Sequence, residues 1–337
     1  LDSFPSLLAQ LETGELRRNP QDMTHRSVFR RADRPAAMGR IDFAQSTTQV
    51  LRLIRALDHG SYWNPLTTAK LSLAGQVVSV GQGQLAPGAG APGQILRADA
   101  NGLVVACADG AVALSELRSP DGILVAPETV VATAVDGLTA SGSQSLTALG
   151  QATAAQDAAA RRALKALQPV TLPMTVQTTA APNWQRLDLD PALTLPALGL
   201  AALRICGMAQ GDIAVAAHST PGYASDWSPL RIDGQTPVAE ALAGLQHGLA
   251  RAKSHPGFAL DLRLRDPALA TQRMPELGLS DFGPIVATLA TLTPGCLHYD
   301  AARLPPAQAS AYAARLCEIA AAAMQAGDRP LVSLPRL

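Results

Sequence analysis

The densest cluster of reactive side chains lies in LRLIRALDHGSYWNPL, residues 51–66. Arg52, Arg55, Asp58, His59, Tyr62, Trp63 and Asn64 crowd together there, in a chain with only 4% aromatic residues. Such a set suits an active site, a nucleic-acid contact, or the cap of a small structural domain. Elsewhere the chemistry is sparse. Six histidines (His25, His59, His218, His247, His255 and His298) show no second His, Cys or carboxylate at metal-ligand spacing. His218 follows a predicted strand end in AAHSTPGYASDW, near Ser219, Tyr223, Ser225 and Asp226, and strand ends often carry function. There is no GxSxG elbow, no dinucleotide fingerprint after a strand and no paired carboxylates in a recognisable setting. The glycine-rich GQGQLAPGAGAPG (81–93) lacks the Lys-Ser/Thr and the following helix of a phosphate loop, so it reads as a flexible loop.

The elements around these residues change period along the chain. Residues 2–16 read as an amphipathic helix with Phe4, Leu7, Leu8 and Leu11 on one face. An arm over 17–40 holds seven arginines (Arg17, Arg18, Arg26, Arg30, Arg31, Arg34 and Arg40) against Asp22 and Asp33, and reads as solvated. Residues 46–58 form a helix with Ser46 and Gln49 as a capping box and Val50, Leu53, Ile54 and Leu57 as its apolar face. Gly60 and Pro65 stop it. Short strands follow at 70–80, 93–99, 102–109 and 111–117, with hairpin signals at Asn101-Gly102 and Asp109-Gly110. Tight turns between short strands predict a small barrel.

Residues 119–150, rich in Ala, Ser, Thr and Gly with weak periodicity, read as a connector. Beyond it helices are expected at 153–167, 195–208, 236–253 and 306–326, the third capped by Thr236 with Pro237 at its first position. Strands are expected at 212–217, 228–233 and near 284–299. This alternation predicts helices layered on a sheet.

Length and composition agree with two or three folded units. The chain has 337 residues, 47% of them hydrophobic, 27 basic against 27 acidic residues, and no net charge to gather an acidic partner. Cys107, Cys206, Cys296 and Cys317 are scattered in apolar stretches, as expected of reduced thiols in a cytoplasmic protein. No stretch reads as a membrane span or signal peptide. The chain opens at Leu1 without a methionine and is expected to be a piece of something longer.

RADRPAAMGRIDFAQSTTQVLRLIRALDHGSYWNPLTTAKL (31–71) and GAPGQILRADANGLVVACADGAVALSEL (90–117) resemble the C-terminal domain of the methionyl-tRNA formyltransferase family. The resemblance covers about residues 1–118. It implies an OB-like β-barrel with flanking helices over 41–118, preceded by a helix and basic arm over 1–40. In that family the catalytic residues and the formyl-tetrahydrofolate site lie in a preceding domain, so no cofactor is expected within this chain.

The stretches AARRALKALQPVTLP (159–173), LTLPALGLAALRICGMAQGDIAVAAHS (193–219), SPLRIDGQTPVAEALAGLQHGLARAKSHP (228–256) and GCLHYDAARLPPAQASAYAARLCEIAAAAMQAGDRPLVSLPRL (295–337) resemble the C-terminal half of a nonribosomal peptide synthetase condensation domain. This implies a half condensation-domain, chloramphenicol-acetyltransferase-like α/β sandwich over 151–337, and an overall α+β class. A condensation domain carries its base in an HHxxxDG motif, and no His-His pair occurs here. Half a sandwich must also bury its open sheet face against the barrel, the 119–150 connector or another chain.

Together the resemblances imply a non-catalytic linker in an initiation module, with neighbouring formyltransferase and adenylation domains and a peptidyl carrier protein as partners. The alternative is an accessory region of an N-formyltransferase that binds a carrier-bound or tRNA-bound aminoacyl acceptor. Arg52, Arg55, Tyr62 and Asn64 are then the structural or acceptor-contact candidates, and His218 or His298 would serve a cryptic acyltransferase. Nucleic-acid binding is not expected, since residues 1–118 hold 12 basic against 10 acidic residues.

Overall fold

The computed structural model describes residues 4–15, 20–30, 33–129, 132–177 and 181–335. The chain divides into two units, residues 1–33 and 34–337. In the first, α1 (Phe4–Glu12) forms within the expected helix, and Phe4, Leu7, Leu8 and Leu11 all stay exposed. Arg26 and Arg30 are exposed, while Arg17, Arg18 and Arg31 lie outside the described residues.

The second unit holds two sheets and the helices that cover them. Its first helix, α2 (Thr47–Leu57), starts at the predicted capping box: Ser46 accepts from the Gln49 N–H and Gln49 reaches back to the Ser46 backbone. Asp109 accepts from the Thr47 N–H at 2.7 Å and places a carboxylate at the same helix end. Val50, Leu51, Ile54 and Leu57 are buried, and Leu53 packs at the margin.

β1 (Ala69–Leu73), β2 (Gln76–Ala86), β3 (Ile95–Asp99), β4 (Gly102–Cys107) and β5 (Gly110–Arg118) form an antiparallel sheet of order β1-β2-β5-β4-β3. The single strand expected over 70–80 is a hairpin, because Ala74 and Gly75 turn the chain at φ of 49° and 81°. Both later hairpins form, one residue earlier than their signals: Gly102 and Gly110 already pair in the ladder, with Asp99 and Cys107. The expected flexible loop over 81–93 begins as strand. Gly83 pairs with Leu114 in that strand, and a Cβ there would stand 2.7 Å from Ile54 Cδ1, so its lack of a side chain lets α2 lie against the sheet.

The sheet is open, which corrects the expected OB-like barrel. β1 and β3 are its edges and do not pair with each other. Segment 133–136 reaches both edges instead: Ile95 N–H donates to the Thr133 carbonyl and Asp136 N–H to the Ser72 carbonyl. That segment, with Ile41 donating to the Lys70 carbonyl on β1, takes edge groups that strand closure would need.

α3 (Ala140–Lys165) begins inside the expected connector, capped by Thr139. Its buried residues, Gly150, Thr153, Asp157 and Leu164, keep helical spacing but are mostly small or polar, so no hydrophobic period marks them. Beyond it lie β6 (Trp184–Asp188), α4 (Leu195–Ile205), β7 (Gln210–Ala216), β8 (Trp227–Asp233), α5 (Val238–Lys253), the single turn α6 (Leu262–Arg265), β9 (Leu277–Leu279), β10 (Ala290–Thr293), β11 (Cys296–Asp300) and α7 (Pro306–Met324). Thr236 does not cap α5: its hydroxyl donates to the Asp233 carbonyl, and Pro237 holds the cap position without a side-chain bond. The strand expected near 284–299 is the β10–β11 hairpin.

The second sheet is mixed, with order β6-β11-β10-β9-β7-β8, and its β10–β9 and β9–β7 pairs are parallel. One face sends Ile213, Val215, Leu279 and Leu292 into a core shared with α4, α5 and α7. The other face is also covered: Ala214, Trp227 and Ile285 pack with Leu164, Phe258, Leu262 and Leu269, and Trp63 joins them from beside the first sheet.

Candidate functional site: the junction between the sheets

Trp63 leads to the chemistry of the junction. The Arg161 guanidinium lies 4.1 Å from its ring centroid and that of Arg265 lies 5.3 Å away, so two cations share one aromatic face system. Arg161 and Lys165 of α3 both pair with Asp266. Asn64, the next residue, is buried. Its amide donates to the Leu57 and Thr67 carbonyls, and its side-chain oxygen accepts from the Leu66 N–H, each at 2.8 Å. Asn64 thereby ties the end of α2 to the start of β1.

Below it runs a chain of buried charges. Lys70 Nζ donates to Asp261 Oδ2 at 2.6 Å, Thr67 Oγ1 at 2.7 Å and the Met38 carbonyl at 3.0 Å. Asp261 Oδ2 also accepts from the Thr68 N–H, and Asp261 Oδ1 from Arg265 Nε at 3.0 Å. The Arg265 fork then grips Asp157 of α3 at 3.1–3.2 Å, and Arg34 reaches the same carboxylate at 3.3 Å. Burial alone would push the Asp261 carboxyl up, but Lys70 and Arg265 outweigh it and hold the group well below the usual carboxylate range. Cations and carboxylates alternate along the network and are hydrogen-bonded to one another, which is what a buried ionic network requires. With its protons and lone pairs committed, this network holds surfaces together and offers no free acid, base or nucleophile.

A cavity of about 570 Å³ opens beside the network. His59, Tyr62 and Asn64 line it from the segment after α2, Glu116 and Arg118 from β5, and Arg263 and Arg265 from α6. Of the four sequence candidates it gathers Tyr62 and Asn64. Tyr62 is 80% exposed and does not cover the sheet end. Arg52 and Arg55 lie on the exposed side of α2, where Arg55 Nε donates to the Leu51 carbonyl at 3.2 Å.

The histidine candidates stand apart from this cavity and from each other. His218 is exposed after β7. His298 sits on β11, with β10 and β9 between it and β7 in the sheet, and has Arg186 as its cross-strand partner. Burial, and then the Arg186 charge, pulls the His298 imidazole below its ordinary value. Burial pushes the Cys107 thiol up to about 11 and that of Cys206 up to about 12. Among the described residues no group of three His, Cys, Asp or Glu side chains is placed to hold a metal ion, and no helix is long and apolar enough to cross a membrane.

The fold and junction define an α+β, two-sheet protein with one region locked to the other by buried charge. Residues 35–134 match the family described as Formyl transferase, C-terminal domain. The methionyl-tRNA formyltransferase of Pseudomonas entomophila (strain L48) is 37% identical over 115 residues, and that of Ectopseudomonas mendocina (strain ymp) 35% identical over 122. The matches cover 34% and 36% of this chain and 34% and 35% of those proteins, so the chain spans about a third of the curated relatives it matches. Among solved structures, the X-domain from teicoplanin biosynthesis is similar at a TM-score of 0.40 and 17% identity, covering 54% of this chain and 57% of that one. The starter condensation domain of rhizomide synthetase is similar at 0.41 and 16%, covering 57% of each.

Proposed function

We propose that this chain is a non-catalytic structural region of a nonribosomal peptide synthetase initiation module in the cytoplasm. It would join an upstream formyltransferase domain, which would hold formyl-tetrahydrofolate, to a downstream adenylation domain. The observation that carries the reading is the Lys70–Asp261–Arg265–Asp157 network. It fastens the formyl transferase C-terminal domain to the region whose sequence resembles half a condensation domain. A body locked in this way sets how far a carrier-protein arm must reach, which positions reactants without performing chemistry. The covered second face of the six-stranded sheet supports it too, since the first region contributes Trp63 to that cover.

The test is Lys70→Glu in the complete synthetase, which sets a carboxylate against Asp261. Amino-acid-dependent pyrophosphate exchange is expected to persist while formylated product falls. Unchanged product from an enzyme whose junction small-angle scattering shows to be open would overturn the reading.

The cavity that gathers Tyr62 and Asn64 favours a second reading: an accessory surface of an N-formyltransferase that contacts a carrier-bound or tRNA-bound aminoacyl acceptor. Tyr62→Ala would then raise the KM for the acceptor and leave kcat in place. A low-salt gel shift distinguishes a tRNA acceptor from a carrier-bound one.

A further inference from the structure

A second cleft, also of about 570 Å³, lies on the far side of Arg263, which together with Asp121 lines both spaces. Its walls are largely apolar, with Trp227, Phe258, Leu260 and Met274 among them. Trp227 and Phe258 meet edge to face with centroids 5.2 Å apart and are held by the core behind them, so the small part of each that reaches the cleft is a rigid floor beside Leu260 and Met274.

Two opposite polar groups stand in this apolar setting. Asp226 makes no ion pair among the described residues, and burial pushes its carboxyl up against the smaller effect of backbone N–H groups at Asp226 and Val286. Arg263 likewise makes no ion pair: one Nη donates to the Gln272 carbonyl at 3.4 Å, and its Nε is buried without a partner. Neither group has a counter-charge beside it and both are half-buried, so each keeps hydrogen-bonding capacity that a ligand in the cleft can use. With Asp121, the lining carries two carboxylates to one guanidinium, a balance that suits a ligand bearing an ammonium group. The volume falls within the range of small-molecule pockets, about 300–1,000 Å³.

We propose that this cleft binds an apolar α-amino acid or aminoacyl group, its ammonium on Asp226, its carboxyl or carbonyl oxygen on Arg263, and its side chain against Trp227 and Phe258. The site stands on these residues alone and does not depend on the linker reading, which survives if the site fails.

Isothermal titration calorimetry of the whole chain with L-phenylalanine tests it, with 3-phenylpropanoate as the same molecule lacking its ammonium. Saturable one-site binding of phenylalanine is expected, with 3-phenylpropanoate at least tenfold weaker. Asp226→Asn should remove that discrimination, and Arg263→Gln should weaken phenylalanine while sparing phenethylamine. Equal binding of phenylalanine and 3-phenylpropanoate by the unaltered protein, or no saturable binding of phenylalanine at millimolar concentration, would overturn the proposal without recourse to either variant.

Discussion

Lys70 and Asp261 lie 191 residues apart in the chain and meet at 2.6 Å, both almost wholly buried. Neither is at a surface where water could replace the other. Removing one leaves the partner as an uncompensated buried charge, the costly case for an ion pair. Lys70→Met should therefore lower stability by about 3–5 kcal/mol, measured by urea denaturation. The double variant Lys70→Met, Asp261→Leu should recover part of that loss. Additive single losses would show that the two groups do not act as a pair.

The same carboxylate gives a pH dependence with a definite sign. The folded pKa of Asp261 lies below its ordinary 3.8, so the unfolded chain takes up this proton first as pH falls. The contribution is complete above the unfolded value and is lost as pH drops below it toward the folded one. Stability should therefore fall as acid is added below about pH 4, and Asp261→Asn, though less stable at neutral pH, should show a shallower decline there. Acid titrations followed by circular dichroism decide between equal and unequal slopes.

Asn64 and Tyr62 are two residues apart and should behave differently. Asn64→Ala strands the Leu57 and Thr67 carbonyls and the Leu66 N–H in a buried site, a loss of about 2–3 kcal/mol. Tyr62→Ala removes an exposed ring and should change stability by less than about 0.5 kcal/mol. Thermal unfolding of the two variants side by side checks this. A large loss for Tyr62→Ala would mean the ring is covered in solution.

Gly39 has a φ of 78° where the chain passes beside the start of β1, and a Cβ there would stand 2.4 Å from the Thr68 carbonyl oxygen. Both the backbone conformation and the close approach exclude a side chain. Gly39→Ala should cost at least about 2 kcal/mol, whereas Gly60→Ala meets open space and carries only the backbone strain of its positive φ. Matching denaturation midpoints for the two would contradict this account.

Some of this molecule was legible residue by residue. The Ser46–Gln49 capping box and the apolar face of α2, and the hairpins around Asn101 and Asp109, are local signals, written within one or two turns of chain. The formyl transferase C-terminal region could be read from its ordered run of such signals. The second half of α3 falls in the helix expected at 153–167, but its first half reads as connector because residues such as Gly150, which it buries, give no hydrophobic period. The barrel expectation failed because strand spacing predicts hairpins but not whether the two edges meet. Here the backbone of 133–136 takes their place.

The sequence by itself determined which segments become helix or hairpin, and set Trp63 and Asn64 beside the end of α2. Only the tertiary structure decided what they serve. A lysine in a strand reads as solvated, and nothing near Lys70 in the chain announces an aspartate 191 residues on or an arginine that carries the pairing to α3. Charge pairing depends on distance through space and on exclusion of water. Both are properties of the folded junction, so a residue type whose local context suggests surface became the buried link between the two sheets.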